Sequence, residues 1–177
     1  MGRIIGIITG AILFVAMLSS CNLNSPEPGE PNTLEKEQRL LSEYLDNLVT
    51  QNYDIDTTDL GVYYVMIEEG DSIIQYPQTG DTLVVGYSGY FINGSLFDTS
   101  DFHSEDGKYK FILGETSMIE GWNDGIKKIN KGATMQLIIP SDYAYGSQGG
   151  GGGVIPPYST VIFVIQVFDI RPPVVTG

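Results

Sequence analysis

The chain has 177 residues, enough for one ordinary domain with extensions but not for two large domains. Its 22 acidic residues against 9 Lys and Arg give a formal charge of −13, which disfavours a nucleic-acid partner, because neutralising phosphates takes clustered cations. An anionic membrane surface would repel it as well.

The first element is an apolar run from Ile4 to Leu18, opened by Arg3 and closed by Leu18-Ser19-Ser20-Cys21. It is shorter than the roughly 20 residues that a spanning helix takes, and small residues precede the cysteine. A lone cysteine is most often a buried small hydrophobe. Cys21, however, stands directly between an apolar run and a polar tract. The arrangement resembles a bacterial lipoprotein signal. That resemblance implies removal of residues 1–20, lipidation of Cys21 on its sulfur and new amine, and a lipid anchor of several acyl chains, which holds where one would not. No thiol would then remain for disulfides or metal. The expected place is the bacterial cell envelope, lipid-anchored to the outer membrane, facing the periplasm or exposed at the surface.

Residues 21–33 are rich in Asn, Ser, Pro, Glu and Gly and read as a flexible tether. Asn32 followed by Glu35 gives an N-cap signal, and Leu41, Tyr44, Leu45 and Leu48 recur at helical spacing. This predicts an amphipathic helix over Leu34–Gln51 within an N-terminal segment of residues 34–60. Its apolar side either packs on its own domain or makes a homodimer. One short helix does not decide between the two.

A strand is predicted from Val62 to Ile67, then a turn at Tyr76-Pro77-Gln78-Thr79-Gly80, then a longer strand from Asp81 to Phe91. In that longer strand Leu83, Val85, Tyr87 and Phe91 share a face. Tyr109, Phe111 and Leu113 alternate likewise, as do Met135, Leu137 and Ile139. Thr160 to Phe168 is apolar on both faces, as suits a central strand. One segment between the strands has helical period, through Ile119, Trp122, Ile126 and Ile129, with Ser117 and Glu120 as a capping pair. No internal repeat is visible. One short helix against antiparallel strands is an α+β arrangement.

Several separated motifs agree in order. Gly80-Asp81-Thr82-Leu83-Val84-Val85-Gly86-Tyr87 leads to Gly94-Ser95-Leu96-Phe97-Asp98-Thr99-Ser100. Met118-Ile119-Glu120-Gly121-Trp122 follows, then Pro140-Ser141-Asp142-Tyr143-Ala144-Tyr145-Gly146 and Val154-Ile155-Pro156-Pro157. From Gly61 to Ile170 the chain resembles the FKBP-type peptidyl-prolyl cis-trans isomerases. The resemblance implies a domain over residues 61–171, with a 172–177 tail, built as a curved antiparallel β-sheet wrapped around one short α-helix. It implies catalysis of X-Pro rotation in unfolded or proline-containing polypeptides without a cofactor. The alternative is a non-catalytic module that holds such segments.

Carried over residue by residue, the resemblance makes Trp122 the floor of an apolar pocket, with Tyr87, Phe97 and Phe163 as walls and Tyr109, Met118 and Ile155 contacting substrate. Ile119 would offer a backbone N–H, Tyr145 a hydroxyl, and Asp98 a carboxylate at the edge. Three departures stand out. Tyr109 replaces a common Phe, no Arg follows Asp98 within Asp101–Lys108, and the glycine run after Ser147 is long. His103 has no ligand set around it for a metal site, and no metal is expected.

Overall fold

The computed structural model describes residues 30–71 and 75–173. The apolar run, Cys21 and the tether as far as residue 29 lie outside these residues, as does the end of the tail.

Helix α1 spans Leu34–Thr50 and is capped by Thr33, whose side chain accepts from the Lys36 amide at 3.2 Å. The expected cap at Asn32 is therefore one residue early. Thr33 has the extended backbone that a cap requires. Glu35 and Glu37 occupy the first turn, where carboxylates suit the positive end of the helix dipole. Asn52, at φ 63°, ends the run in the left-handed conformation that asparagine tolerates.

Leu41, Tyr44, Leu45 and Leu48 pack against Val65, Ile138 and Ile162 of the sheet, so the apolar side of α1 is covered by its own domain. A buried carboxylate fixes the same helix. One Glu37 oxygen accepts from the Ser141 amide at 2.6 Å and from the Thr160 hydroxyl at 2.8 Å, and the other from the Ser141 hydroxyl at 2.5 Å. Three donors on one buried acid satisfy its lone pairs and set how α1 lies on the sheet.

The sheet has seven antiparallel strands: β1 (Asp56–Thr57), β2 (Tyr63–Glu68), β3 (Thr82–Phe91), β4 (Leu96–Thr99), β5 (Tyr109–Ile112), β6 (Thr134–Ile139) and β7 (Val161–Arg171). Their order is β1-β2-β6-β7-β3-β4, with β5 also paired to β3. Strand β3 thus pairs with β5 along residues 82–85 and with β4 along residues 88–90. The strand expected to be central is central: β7 lies between β6 and β3. Its Ile162 joins the α1 side, while Val161, Phe163, Ile165 and Val167 join the main core. That division is why its sequence is apolar on both faces.

Strand β4 has no alternating pattern long enough to announce it. It forms because Asn93-Gly94 closes a hairpin, with Gly94 at φ 89° and the Phe91 amide donating to the Ser95 carbonyl at 2.9 Å.

Helix α2 covers Glu120–Gly125 and tightens into a 3-10 turn over Ile126–Lys128. Ser117 does not cap it. The N-cap is Ile119, at φ −61° and ψ 150°, with no side-chain cap bond. The helix sits close to β6 because a Cβ on Gly125 would meet Leu137 Cδ2 at 2.6 Å. This proximity places Trp122, Ile126 and Ile129 in the main core beside Leu137 and Phe163. Among the described residues no helix is long and apolar enough to cross a membrane.

Candidate active site

The residues singled out from sequence lie on six neighbouring pieces of chain. Tyr87 comes from the middle of β3, Phe97 and Asp98 from β4, Tyr109 from β5, and Phe163 from β7. Met118, Ile119 and Trp122 come from the start of α2. Tyr145 and Ile155 flank the glycine run. The apolar members are either buried in one cluster or packed against it.

Trp122 is the centre of that cluster. Its ring stands edge-on to Phe163 at 5.1 Å and to Tyr87 at 5.5 Å between centroids, and near Phe111 at 6.0 Å. Phe97 meets Phe163 edge-on at 5.7 Å, and Tyr109 meets Tyr87 likewise at 5.9 Å. Edge-to-face contacts of this kind add to simple area burial. Phe111 is a member that sequence reading left as an ordinary strand residue. Its alternation with Tyr109 and Leu113 gave its face but not its neighbour.

With 1 % exposed, Trp122 lies beneath the cluster rather than in an open hollow, and its indole Nε1 is buried without a hydrogen-bond partner among the described residues. Neither of two hollows, ≈ 280 Å³ at Met66, Tyr76 and Ala133 and ≈ 220 Å³ at Tyr87, Ser88, Thr99 and Ser100, is lined by Trp122. The rim above the indole is partly exposed: Tyr87, Tyr109, Met118, Ile119 and Tyr145 are all half-buried. A proline ring that reaches the indole must part these side chains.

Polar groups converge at one edge. Asp98 Oδ2 accepts from the Tyr87 hydroxyl at 2.8 Å, and Asp98 Oδ1 accepts from the Thr99 amide at 2.9 Å. His103 Nε2 also stands 2.9 Å from Oδ1. This last contact does not follow from the sequence, where His103 lacks the ligand set of a metal site. The turn that makes it is too short for periodicity to reveal. Thr99 caps a 3-10 turn, Ser100–Phe102, and the His103 amide donates back to the Ser100 carbonyl at 3.0 Å. The same turn clamps the Tyr87 backbone, since the Tyr87 amide donates to Ser100 Oγ at 3.0 Å and the Thr99 hydroxyl to the Tyr87 carbonyl at 2.9 Å.

Burial pushes the Tyr87 phenol well above the usual tyrosine range, and its bond to Asp98 and that carboxylate's charge push it further. Tyr145 is raised too, by burial and then by the Asp98 charge. Both hydroxyls therefore stay protonated as donors at neutral pH. Among the described residues neither the Tyr145 hydroxyl nor the Ile119 amide has a hydrogen-bond partner. An amide at a helix start lacks an intrahelical acceptor, so the Ile119 N–H is available to a carbonyl.

The glycine run is built rather than slack. Gly150 and Ile155 exchange backbone hydrogen bonds at 2.9 and 3.1 Å, which closes the loop. Gly151, Gly152 and Gly153 all have positive φ. A Cβ on Gly150 would overlap the Tyr145 ring. Among the described residues there is no group of three acidic, His or Cys side chains placed to hold a metal ion.

Comparison with known proteins agrees with this geometry. A model of the FKBP-type peptidyl-prolyl cis-trans isomerases matches residues 75–168. The chain belongs to that family. The isomerase FkpA of Escherichia coli K12 is 36 % identical over 118 residues, which is 67 % of this chain and 41 % of FkpA. Fkbp12 of Drosophila melanogaster is 37 % identical over 112 residues, covering 63 % of this chain and all of that protein. The crystal structure of Escherichia coli FkpA superposes with a TM-score of 0.62 at 32 % identity, over 78 % of this chain and 63 % of that one. A peptidyl-prolyl isomerase of Pseudomonas syringae, 24 % identical, shares the fold with a TM-score of 0.65 over 81 % of this chain and 99 % of its own. This FKBP chain thus spans about two fifths of the Escherichia coli relative it matches in sequence. The antiparallel FKBP sheet with its short α2 is the architecture that the motifs implied.

Proposed function

We propose that the protein is a peptidyl-prolyl cis-trans isomerase that assists the folding of exported or envelope polypeptides. The observation that carries this reading is the aromatic cluster on Trp122 with Asp98 at its edge, held by the Tyr87 hydroxyl at 2.8 Å. Rotating an X-Pro bond breaks no covalent bond. Its barrier of about 18–20 kcal/mol reflects lost amide resonance. In the twisted amide the nitrogen is more basic and the carbonyl less delocalised. A site that strips water from the proline and meets the altered carbonyl with fixed donors therefore favours the twisted form over the planar one.

In this reading the proline ring settles on Trp122 between Tyr87, Phe97 and Phe163. The Ile119 amide and the Tyr145 hydroxyl donate to substrate carbonyls, with Tyr109, Met118 and Ile155 completing the wall. Asp98 orients the tyrosine hydroxyls and interacts with the polarised amide. It is not a general base, since no proton is removed. An acceleration of about 10⁶-fold would correspond to roughly 8 kcal/mol of preference for the twisted amide. No cofactor takes part.

A coupled proline-isomerisation assay on the full chain tests the activity. Acceleration above the spontaneous rate supports it. Peptide binding with no acceleration would instead support a non-catalytic holding module.

The attachment is also a proposal. Cys21 is lipidated after removal of residues 1–20, and the tether presents the domain (residues 61–171, with α1 ahead of it) from the outer membrane. A Cys21→Ala variant that still fractionates with membranes and keeps its lipid label would remove this reading. The cover that the sheet gives to Leu41, Tyr44, Leu45 and Leu48 supports a packing role for α1 rather than a homodimer through it. Sedimentation with and without the helix tests that choice.

A further inference from the structure

His103 is the chain's one histidine, and its imidazole lies against the Asp98 carboxylate at 2.9 Å from Oδ1. The other oxygen, Oδ2, takes the Tyr87 hydroxyl. The imidazole also stacks over Tyr87, 6.4 Å between centroids and 30° between planes, and flanks Tyr109 at 6.3 Å. One ring therefore touches the carboxylate and both tyrosines of the rim, while its side chain keeps 48 % exposure.

We propose that His103 is a positioning residue: its imidazole holds the Asp98 carboxylate in the orientation that takes the Tyr87 hydroxyl, and its charge state thereby sets how fast the site works. This rests on the isomerase reading above. Asp98 is about one-third exposed, so part of its carboxylate meets solvent. Its fixed contacts are the Tyr87 hydroxyl, the neighbouring Thr99 amide and His103. Of these only His103 can change charge near neutral pH. A charged donor makes a shorter and stronger bond to a carboxylate than a neutral one. The imidazolium should pin Asp98 more firmly than the neutral ring does, and catalysis should be faster where it is present.

The groups facing His103 are Asp98 from β4, Tyr87 from β3 and Tyr109 from β5. Asp101, Glu105, Asp106 and Lys108 are the charges of its own loop, with Asp106 and Lys108 paired at 3.9 Å. Of the side-chain types gathered here, imidazole is the one whose ordinary titration range spans neutral pH. An inflection in that interval therefore reports the histidine.

The experiment is the pH profile of kcat/KM for the full chain, His103→Gln and His103→Arg, from roughly pH 5 to 8, the range of histidine titration. Thermal melts of each variant check that this exposed position leaves the fold intact. The expected result is a decline of about threefold as the wild-type imidazolium loses its proton, the size of a charge-assisted bond at an exposed site. His103→Gln should be flat at the low plateau, because it donates without a charge. His103→Arg should be flat and near the high plateau, because a guanidinium stays charged and matches a carboxylate. Three active proteins with the same profile would overturn the role of His103 and leave the isomerase reading standing. A chain inactive at every pH would overturn both.

Discussion

The Tyr87 hydroxyl and the Asp98 carboxylate are joined by a 2.8 Å hydrogen bond across two paired strands, beside the pair in register, Gly89 and Asp98. The bond links the apolar floor to the polar edge, because the same tyrosine ring stands edge-on to Trp122. Removing its hydroxyl should disturb orientation more than fold. For Tyr87→Phe we expect activity to fall about fivefold with a stability loss of about 1 kcal/mol, the worth of one ordinary hydrogen bond. Urea melts beside the isomerisation assay check it. A variant with full activity would detach this bond from function.

Asp98→Asn keeps the shape of the side chain and removes its charge. Activity should drop about tenfold while the melting midpoint hardly moves, since a partly exposed carboxylate contributes little to stability. Trp122→Leu behaves differently. The indole is 1 % exposed, so this change also empties core volume and should cost about 2–3 kcal/mol. Loss of both stability and activity is therefore expected for Trp122→Leu, and Asp98→Asn is the cleaner probe. Parallel losses in Asp98→Asn would contradict its role.

Gly150→Ala tests the glycine run. Gly150 has φ −156°, so its backbone accepts alanine, and the nearest conflict is with the Tyr145 ring. The added methyl should push that ring and lower kcat/KM about threefold to tenfold, with stability changed by less than about 1 kcal/mol. Unchanged kinetics would make Tyr145 a bystander.

The Glu37 latch predicts a stability effect far from the site. Glu37→Ala leaves the Ser141 amide and hydroxyl and the Thr160 hydroxyl without their acceptor and should cost about 2–4 kcal/mol. Amide exchange across α1 should quicken most. Even exchange over the whole chain would mean that α1 is held by its apolar side alone.

The tyrosines set the alkaline limit. The folded state raises Tyr87 and Tyr145 above their ordinary values, so both contribute stability that is complete below the unfolded tyrosine pKa of about 10. That contribution is lost as pH rises from there through the folded values. Urea unfolding free energy should fall above roughly pH 10, and Tyr87→Phe should flatten the fall. An equally steep fall in Tyr87→Phe would assign it to other groups.

Much of this was legible in the sequence. Period-two patterns mark β3, β5 and β6, apolarity on both faces marks β7, and ordered motifs gather Tyr87, Phe97, Asp98, Trp122 and Tyr145. What escaped were contacts made by turns. β4 depends on an Asn-Gly hairpin, and the meeting of His103 with Asp98 depends on a 3-10 turn too short for periodicity to reveal. Nothing in the helix pattern singles out Glu37, because its partners lie 104 and 123 residues away. The cover over Trp122 is likewise a property of packing, not of pattern.

The most direct test uses the chain's one tryptophan. Its indole Nε1–H has no partner among the described residues and should give a single nitrogen-correlated proton signal. On adding an X-Pro peptide, the account predicts that this signal shifts, shows close contacts to the proline ring protons, and does so while cis-trans exchange of the peptide accelerates. Accelerated exchange with an unmoved indole signal and no proline contact would contradict the placement of the proline on Trp122.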